Sequence, residues 1–289
     1  MSFDNGTGAM RATWLKTKAA GYFSTALAGR LASRLWFTPW RIPEGEGAHA
    51  RRSEWLQGAE PLTVRVGDWD LKGFSAGEGP TVMLVHGWAD RASSLGAFIA
   101  PLVDRGYRVV GLDLPAHGDT EGEQTDALEL AAALSGAADH LGDVHAVVAH
   151  SMGAVATMVA LRDGLSLRRA VFVSPAVRLE RGLDHFVKMY KLPTRAGQGL
   201  RTEIERRFGV SVWEDFAADK FASELDLPVL IVHDRKDSQV SINDAQLLAD
   251  AWPSAHLHIT EGLGHTRILR DPQVVEQSLA FLEESLVNA

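Results

Sequence analysis

The pentapeptide Ala149-His150-Ser151-Met152-Gly153 stands between an apolar run, VHAVVA, and a helix-forming run, MGAVATMVAL. A serine at such a strand-to-helix turn is forced into strained dihedrals that hold its oxygen clear of the sheet, the arrangement of a nucleophile elbow. Only small residues fit two positions to either side, because a larger side chain would collide with the neighbouring strand and helix. Ala149 and Gly153 meet that condition. The plainer reading, a serine that merely caps a helix, gains little support: Ala154 stands where a capping box would place Glu or Gln. A serine so held lies at the positive end of a helix, with the Met152 amide free to face a developing oxyanion. A second donor is expected from the loop after TVMLV, where His86-Gly87-Trp88 follows. Gly87 permits close backbone approach, the Trp88 amide is the candidate donor, and His86 reads as an organiser of the loop.

A base and its orienting acid should each close a later strand. After PVLIV comes His233-Asp234-Arg235-Lys236-Asp237, and after the segment His256–Ile259 comes Gly262-Leu263-Gly264-His265. His265 is assigned as base, since of the 11 histidines it alone sits in a glycine-flanked loop before the final helix. His150, His233, His256 and His258 lie next to or inside strands and are expected to point into or behind the sheet. Asp237 is assigned as the acid. Asp234 is its rival, but it follows the strand immediately, whereas Asp237 has enough loop to curl toward a histidine.

These residues need a scaffold, and the rest of the chain supplies one. From Pro61 onward short apolar segments near Leu62–Val66, Trp69–Phe74, Val82–Val85, Val109–Leu112, Ala146–Ala149, Ala170–Val173, Val229–Val232 and His256–Ile259 alternate with helical stretches at about Ala92–Asp104, Asp126–Leu141, Met152–Arg162, Asp244–Ala251 and Val274–Leu286. That rhythm indicates βαβ units and a mostly parallel sheet covered on both faces. Residues 61–176 and 225–289 form this core. Residues 177–224 interrupt it with helix formers and bulky apolar residues, and read as a helical cap. Phe186, Met189, Tyr190, Trp213 and Phe216 would build an apolar substrate pocket there, or equally pack the cap onto the body.

Composition limits the chemistry. With no cysteine among 289 residues, thiolate nucleophiles, disulfides and Cys-ligated metals are excluded. A hydrophobic share of 46 % with 23 % charged is that of a globular chain, and no apolar run is long enough to span a bilayer. The net charge of −8 argues against nucleic acid as a partner and favours a small neutral or apolar ligand. Residues 1–41 depart from that balance: Arg11, Lys16, Lys18, Arg30, Arg34 and Arg41 stand against Asp4 alone, a +5 arm on a body of −13. Within the arm Leu15, Ala19, Tyr22, Phe23, Ala26, Leu27, Leu31 and Leu35 recur at helical spacing, so one amphipathic helix ending before Pro39 is expected. A secretory signal fits less well, because Gly21, Ser24 and Thr25 break the apolar run and the stripe continues to Leu35. A cytoplasmic protein is therefore expected, with the retained arm serving membrane-surface contact, self-association or packing on its own domain. Every assigned catalytic residue lies beyond it, so its removal should spare the chemistry. Residues 42–60 read as a connector.

Taken together, His86-Gly87-Trp88, Asp113-x-Pro115-x-His117-Gly118, His150-Ser151-Met152-Gly153, the strand and loop bearing Asp237, and Gly264-His265 resemble the α/β-hydrolase family over most of residues 60–286. The order and spacing of all five carry the resemblance. It departs from the family pattern at Ala149, where a glycine is usual, and at Asp119, where a serine often stands. The resemblance implies an α/β-hydrolase sheet of about eight strands and a Ser-His-Asp mechanism with no metal or organic cofactor. A serine at the elbow argues against the dehalogenase and epoxide hydrolase branches, which use aspartate there, and the absence of an HGGG run separates the chain from the hormone-sensitive-lipase branch. The expected reaction is hydrolysis of carboxylic esters of small to medium acyl chains through an acyl-enzyme. Perhydrolase, thioesterase and carbon–carbon bond hydrolase share the same triad, and a non-catalytic binding protein on this scaffold is the alternative outside enzymology.

Overall fold

The computed structural model describes residues 8–39 and 45–283. Asp4 and Arg41 of the basic arm, and the last residues of the expected final helix, lie outside them. An eight-stranded sheet is built from β1 (Glu60–Val66), β2 (Trp69–Ala76), β3 (Thr81–Val85), β4 (Arg108–Leu112), β5 (Val144–His150), β6 (Arg169–Val173), β7 (Val229–Asp234) and β8 (Ala255–Thr260). Its order is β1-β2-β4-β3-β5-β6-β7-β8. β1 and β2 form an antiparallel hairpin whose second strand runs against β4, and every later pairing is parallel.

Period-2 alternation splits the strands between two cores. Met83, Val85, Val147 and Phe172 face α5 (Ala127–Leu141), α6 (Met152–Arg162) and α11 (Ile242–Ala251). Val82, Leu84, Val148, Val171 and Val232 face α4 (Ile99–Asp104) and α13 (Pro272–Glu283), with the 3-10 turn Ala92–Phe98 ahead of α4. All seven residues of the central β5 are buried, as a strand covered on both faces requires.

Between β6 and β7 the chain leaves the sheet and forms α7 (Leu179–Met189), α8 (Thr194–Phe208), α9 (Val212–Asp215) and α10 (Ala218–Phe221). Charge pairs fasten this helical insertion. Arg178 holds Asp219 through two bonds of 3.0 and 2.6 Å, Arg181 of α7 bonds the buried Asp244 of α11, and Arg207 of α8 bonds Asp126, the residue that caps α5.

The arm differs from the single helix that its spacing implies. It forms α1 (Gly8–Ala20) and α2 (Thr25–Phe37), separated at Gly21–Ser24. The reason is local: the Ser24 hydroxyl accepts the Leu27 amide and starts a new helix, while the turn rests on the cap, where a Cβ on Gly21 would lie 2.8 Å from Pro193. α2 then crosses α8 so closely that a Cβ on Gly29 would stand 2.4 Å from the Gly199 carbonyl carbon. Ala28, Ala32 and Leu35 bury the inner face of α2. The segment expected to be a plain connector also carries a helix, α3 (Glu46–Trp55), none of whose residues is buried.

Candidate active site

Ser151 follows β5 directly and precedes α6, with φ 51° and ψ −116°. A non-glycine residue in that region is strained, and the neighbours hold it there. Its amide continues the ladder by donating to the Val173 carbonyl at 3.0 Å. A Cβ on Gly153 would lie 2.4 Å from the His86 oxygen, so α6 can reach β3 only with glycine there. Ala149, in place of the usual glycine, is fully buried between Val85 and Phe172 on the flanking strands. The steric condition is met without the motif being complete.

Asp237, in the loop after β7, meets His265, which sits not in a loop as its flanking glycines imply but in the short helix α12 (Gly264–Arg267) after β8. The His265 Nδ1 lies 2.7 Å from Asp237 Oδ2, and the carboxylate has no solvent exposure. The other carboxylate oxygen accepts the Gln239 and Val240 amides at 2.8 and 3.0 Å. Burial works against ionisation of Asp237, but the hydrogen bond and charge of His265, with those amides, hold its pKa below the ordinary carboxylate value. Asp234, the rival, is occupied otherwise. It accepts the Lys236 and Leu263 amides and the Thr260 hydroxyl, and so ties the β7 loop to the segment that leads to His265. Burial alone would raise its pKa; the amides of Gly264 and Leu263 and the Thr260 hydroxyl outweigh it and bring it to about 2.

Ser151, Asp237 and His265 border one cavity of about 910 Å³. Met152, at the start of α6, and Trp88, in the loop after β3, border it as well. A Cβ on Gly87 would stand 3.2 Å from that of Ser151, so a glycine lets this loop come up against the elbow. His86 organises the loop as its position implies: Nε2 accepts the Leu114 amide at 3.0 Å, and Nδ1 then donates to the Gly87 carbonyl at 2.7 Å. Asp113 accepts the amides of Ala92 and Asp119, each at 2.8 Å, next to the lining residues Arg91 and Gly118.

The apolar wall comes partly from the cap. Phe186, Met189, Tyr190 and Phe216 border the cavity. Trp213 does not: its indole N–H donates to Glu205 at 2.8 Å and the Arg201 guanidinium covers its ring, so this tryptophan is held by the cap's own polar groups. Three contributions escaped sequence reasoning. Trp36 and Phe37, at the end of α2, also wall the cavity, which the arm's charge and period could not disclose. His185 of α7 faces it too, and burial, followed by the neighbouring His265, lowers its pKa. His150 is not turned into or behind the sheet as expected. It borders the cavity, its ring centroid 4.6 Å from that of His265, and its Nε2 donates to the His265 carbonyl at 3.0 Å. Its place inside the elbow was the available signal. Burial first, and then His265, push its pKa down to about 3.

The Alpha/beta hydrolase family model matches residues 82–277. Among solved structures, the chain is similar to a membrane phospholipase A described as a novel bacterial virulence factor, at 20 % identity and TM-score 0.65 over 83 % of this chain and 91 % of that one. It is similar to an esterase from Pyrococcus furiosus at 18 % identity and TM-score 0.66, over 86 % and 97 % of the two chains. A meta-cleavage product hydrolase from Pseudomonas fluorescens IP01 matches at 19 % identity and TM-score 0.60, over 78 % and 98 %. At such identities the likeness is one of fold, and neighbours named for different reactions do not choose among them. The family match runs from β3 into α13 and takes in the elbow, the cap and both loops, so the chain is a hydrolase that belongs to the alpha/beta hydrolase family.

Proposed function

We propose that the protein hydrolyses carboxylic esters of small to medium acyl chains through an acyl-enzyme on Ser151, with His265 as base and Asp237 as its orienting acid. The observation that carries this is the 2.7 Å contact between His265 Nδ1 and the buried Asp237 carboxylate, set in the same cavity as a serine at φ 51°. With Nδ1–H committed to Asp237, the neutral ring keeps its lone pair on Nε2 for the serine proton. Ser151 attacks the ester carbonyl, and the Trp88 and Met152 amides receive the oxyanion. His265 then protonates the departing alcohol and activates the water that releases the acid. Phe186, Met189, Tyr190 and Phe216 line the space for the acyl or alcohol group. No step needs a metal or organic cofactor.

A fluorophosphonate probe should label Ser151, and the intact chain should hydrolyse a graded series of p-nitrophenyl esters. Ser151→Ala and His265→Ala should each lower kcat by about 10⁴-fold, and the double variant should fall no further. Labelling at another serine, or unchanged turnover in Ser151→Ala, would overturn the assignment. Comparing acyl thioesters and a vinylogous 1,5-diketone with the ester series decides between ester hydrolysis and the thioesterase and carbon–carbon bond readings.

A further inference from the structure

Large apolar side chains that remain exposed cluster in the arm. Leu15 is 52 % exposed, Tyr22 71 %, Phe23 86 % and Leu27 52 %; among the described residues only Leu128 and Val210 join them. Tyr22 and Phe23 occupy the turn between α1 and α2, and Leu15 and Leu27 flank it on the outward faces of the two helices. The turn is fixed in place: Arg195 of α8 donates to the Tyr22 carbonyl at 3.1 Å, and the Trp14 indole donates to the Tyr190 carbonyl at 2.8 Å. Arg11 and Lys16 are exposed along α1, which leads into this apolar tip, and Arg30 is exposed on α2, which leaves it. No described helix is long and apolar enough to cross a membrane.

We propose that this tip is a docking surface for an anionic lipid bilayer. Two neighbouring aromatic side chains, both largely exposed on one turn, suit insertion at the headgroup boundary, with long basic side chains on the flanking helices to meet lipid phosphates. Charge selects the partner and the orientation. A body of −13 is repelled by an anionic surface, and the +5 arm is the part that such a surface attracts. The same charge disfavours a second copy of the chain, because a two-fold pairing of tips would set like charges against one another. Docking here also serves the proposed esterase, on which this clause rests. α2 runs from the tip to Trp36 and Phe37 in the cavity wall, about 20 Å at 1.5 Å per residue, so substrates dissolved in the bilayer would reach a cavity held close to it.

The test separates docking from chemistry by measuring binding with the full chain carrying Ser151→Ala. At low salt it should co-sediment with phosphatidylcholine vesicles containing about a third phosphatidylglycerol and leave phosphatidylcholine alone in solution. Tyr22→Ser with Phe23→Ser should weaken that binding by about a hundredfold, and Arg11→Glu with Lys16→Glu should abolish it. In the Ser151 background both variants should keep the parent's melting temperature and rate on a soluble ester. Absence of binding to the anionic vesicles, equal binding to neutral ones, or undiminished binding by the tip variant would each overturn the proposal. Dimers that dissociate on the tip substitutions, with no vesicle binding, would assign the surface to a second copy instead.

Discussion

Two aspartates three positions apart, Asp234 at the end of β7 and Asp237 in the loop beyond it, have different partners. Asp237 gives one oxygen to His265 and the other to two backbone amides, so it can orient an imidazole and balance its charge. Asp237→Asn should lower kcat for ester hydrolysis by about 10⁴-fold with little change in stability, because the amide presents a donor where Nδ1–H needs an acceptor. Asp234 fastens two loops. With a pKa of about 2 in the fold against 3.8 ordinarily, its stabilisation is fully present above pH 3.8 and is lost as pH falls through 2. Asp234→Asn should cost about 2 kcal/mol at neutral pH, read by urea denaturation, and spare more activity than Asp237→Asn. His150 acts in the same direction over a higher pH window. It stays neutral in the fold down to about pH 3, whereas the unfolded chain protonates it below 6.5. Stability should therefore decline as pH drops from 6.5 toward 3, and His150→Gln should flatten that decline in melting curves recorded between pH 4 and 8. The juxtaposition of Ser151, Asp237 and His265 around one cavity was legible because strand ends and a glycine-flanked segment announce themselves in one dimension. His150 was not, since whether a residue at the sheet edge turns toward a cavity depends on the segment it meets there.

At the scale of elements the sequence was readable wherever local pattern and tertiary demand coincide. All eight strands lie within a few residues of the apolar segments that mark them; the central β3, β5 and β7 are buried throughout and so apolar along their length, while the edge strands β1 and β8 keep exposed or half-buried positions. The arm was misread as one helix because its apolar period runs through Gly21–Ser24 without interruption. What breaks it is contact with the cap at Pro193 and the Ser24 cap, the first of which is invisible to periodicity. Trp213 was misassigned for a related reason: bulk and hydrophobicity do not tell which way a cap residue faces, and here Glu205 and Arg201 decided it. The crossing of α2 on α8 is the junction on which the arm depends. A Cβ on Gly199 would meet the Thr25 carbonyl at 2.2 Å and the Gly29 Cα at 2.8 Å, and backbone cannot give way as a flexible side chain does. Gly199→Ala should therefore destabilise the protein by about 1–3 kcal/mol despite adding a better helix former. Gly47→Ala in α3, whose Cβ would meet only Arg51 at 3.6 Å, should be neutral or stabilising by about 0.5–1 kcal/mol. Paired thermal denaturation distinguishes a packing crossing from a general helix-propensity effect.

For the molecule as a whole, the arm is both a charged surface and a wall, and only the first was evident from composition. Its location ahead of every assigned catalytic residue implied that residues 1–41 could be removed without touching the chemistry. The structure argues against that inference, because Trp36, Phe37 and Pro39 border the cavity and α2 buries Ala28, Ala32, Leu35 and Phe37. Excision would leave the facing surface of α8 bare and open one side of the site to water. Each large side chain taken from that contact removes about 1.5–3 kcal/mol of apolar burial, a substantial part of a stability that for a domain is only about 5–15 kcal/mol. A chain starting at residue 45 should therefore melt well below the parent and lose kcat/KM on soluble esters. The loss should be greater for long acyl chains than for short ones, since methylenes that met Trp36 and Phe37 would meet water. Trp36→Ala with the arm otherwise intact separates the two causes. It should shift the ratio of kcat/KM between long and short esters by about tenfold while most of the thermal stability remains, because Trp36 is only partly buried. A truncated chain that melts and turns over like the parent would show the arm to be an appendage and would remove α2 from the account of the site.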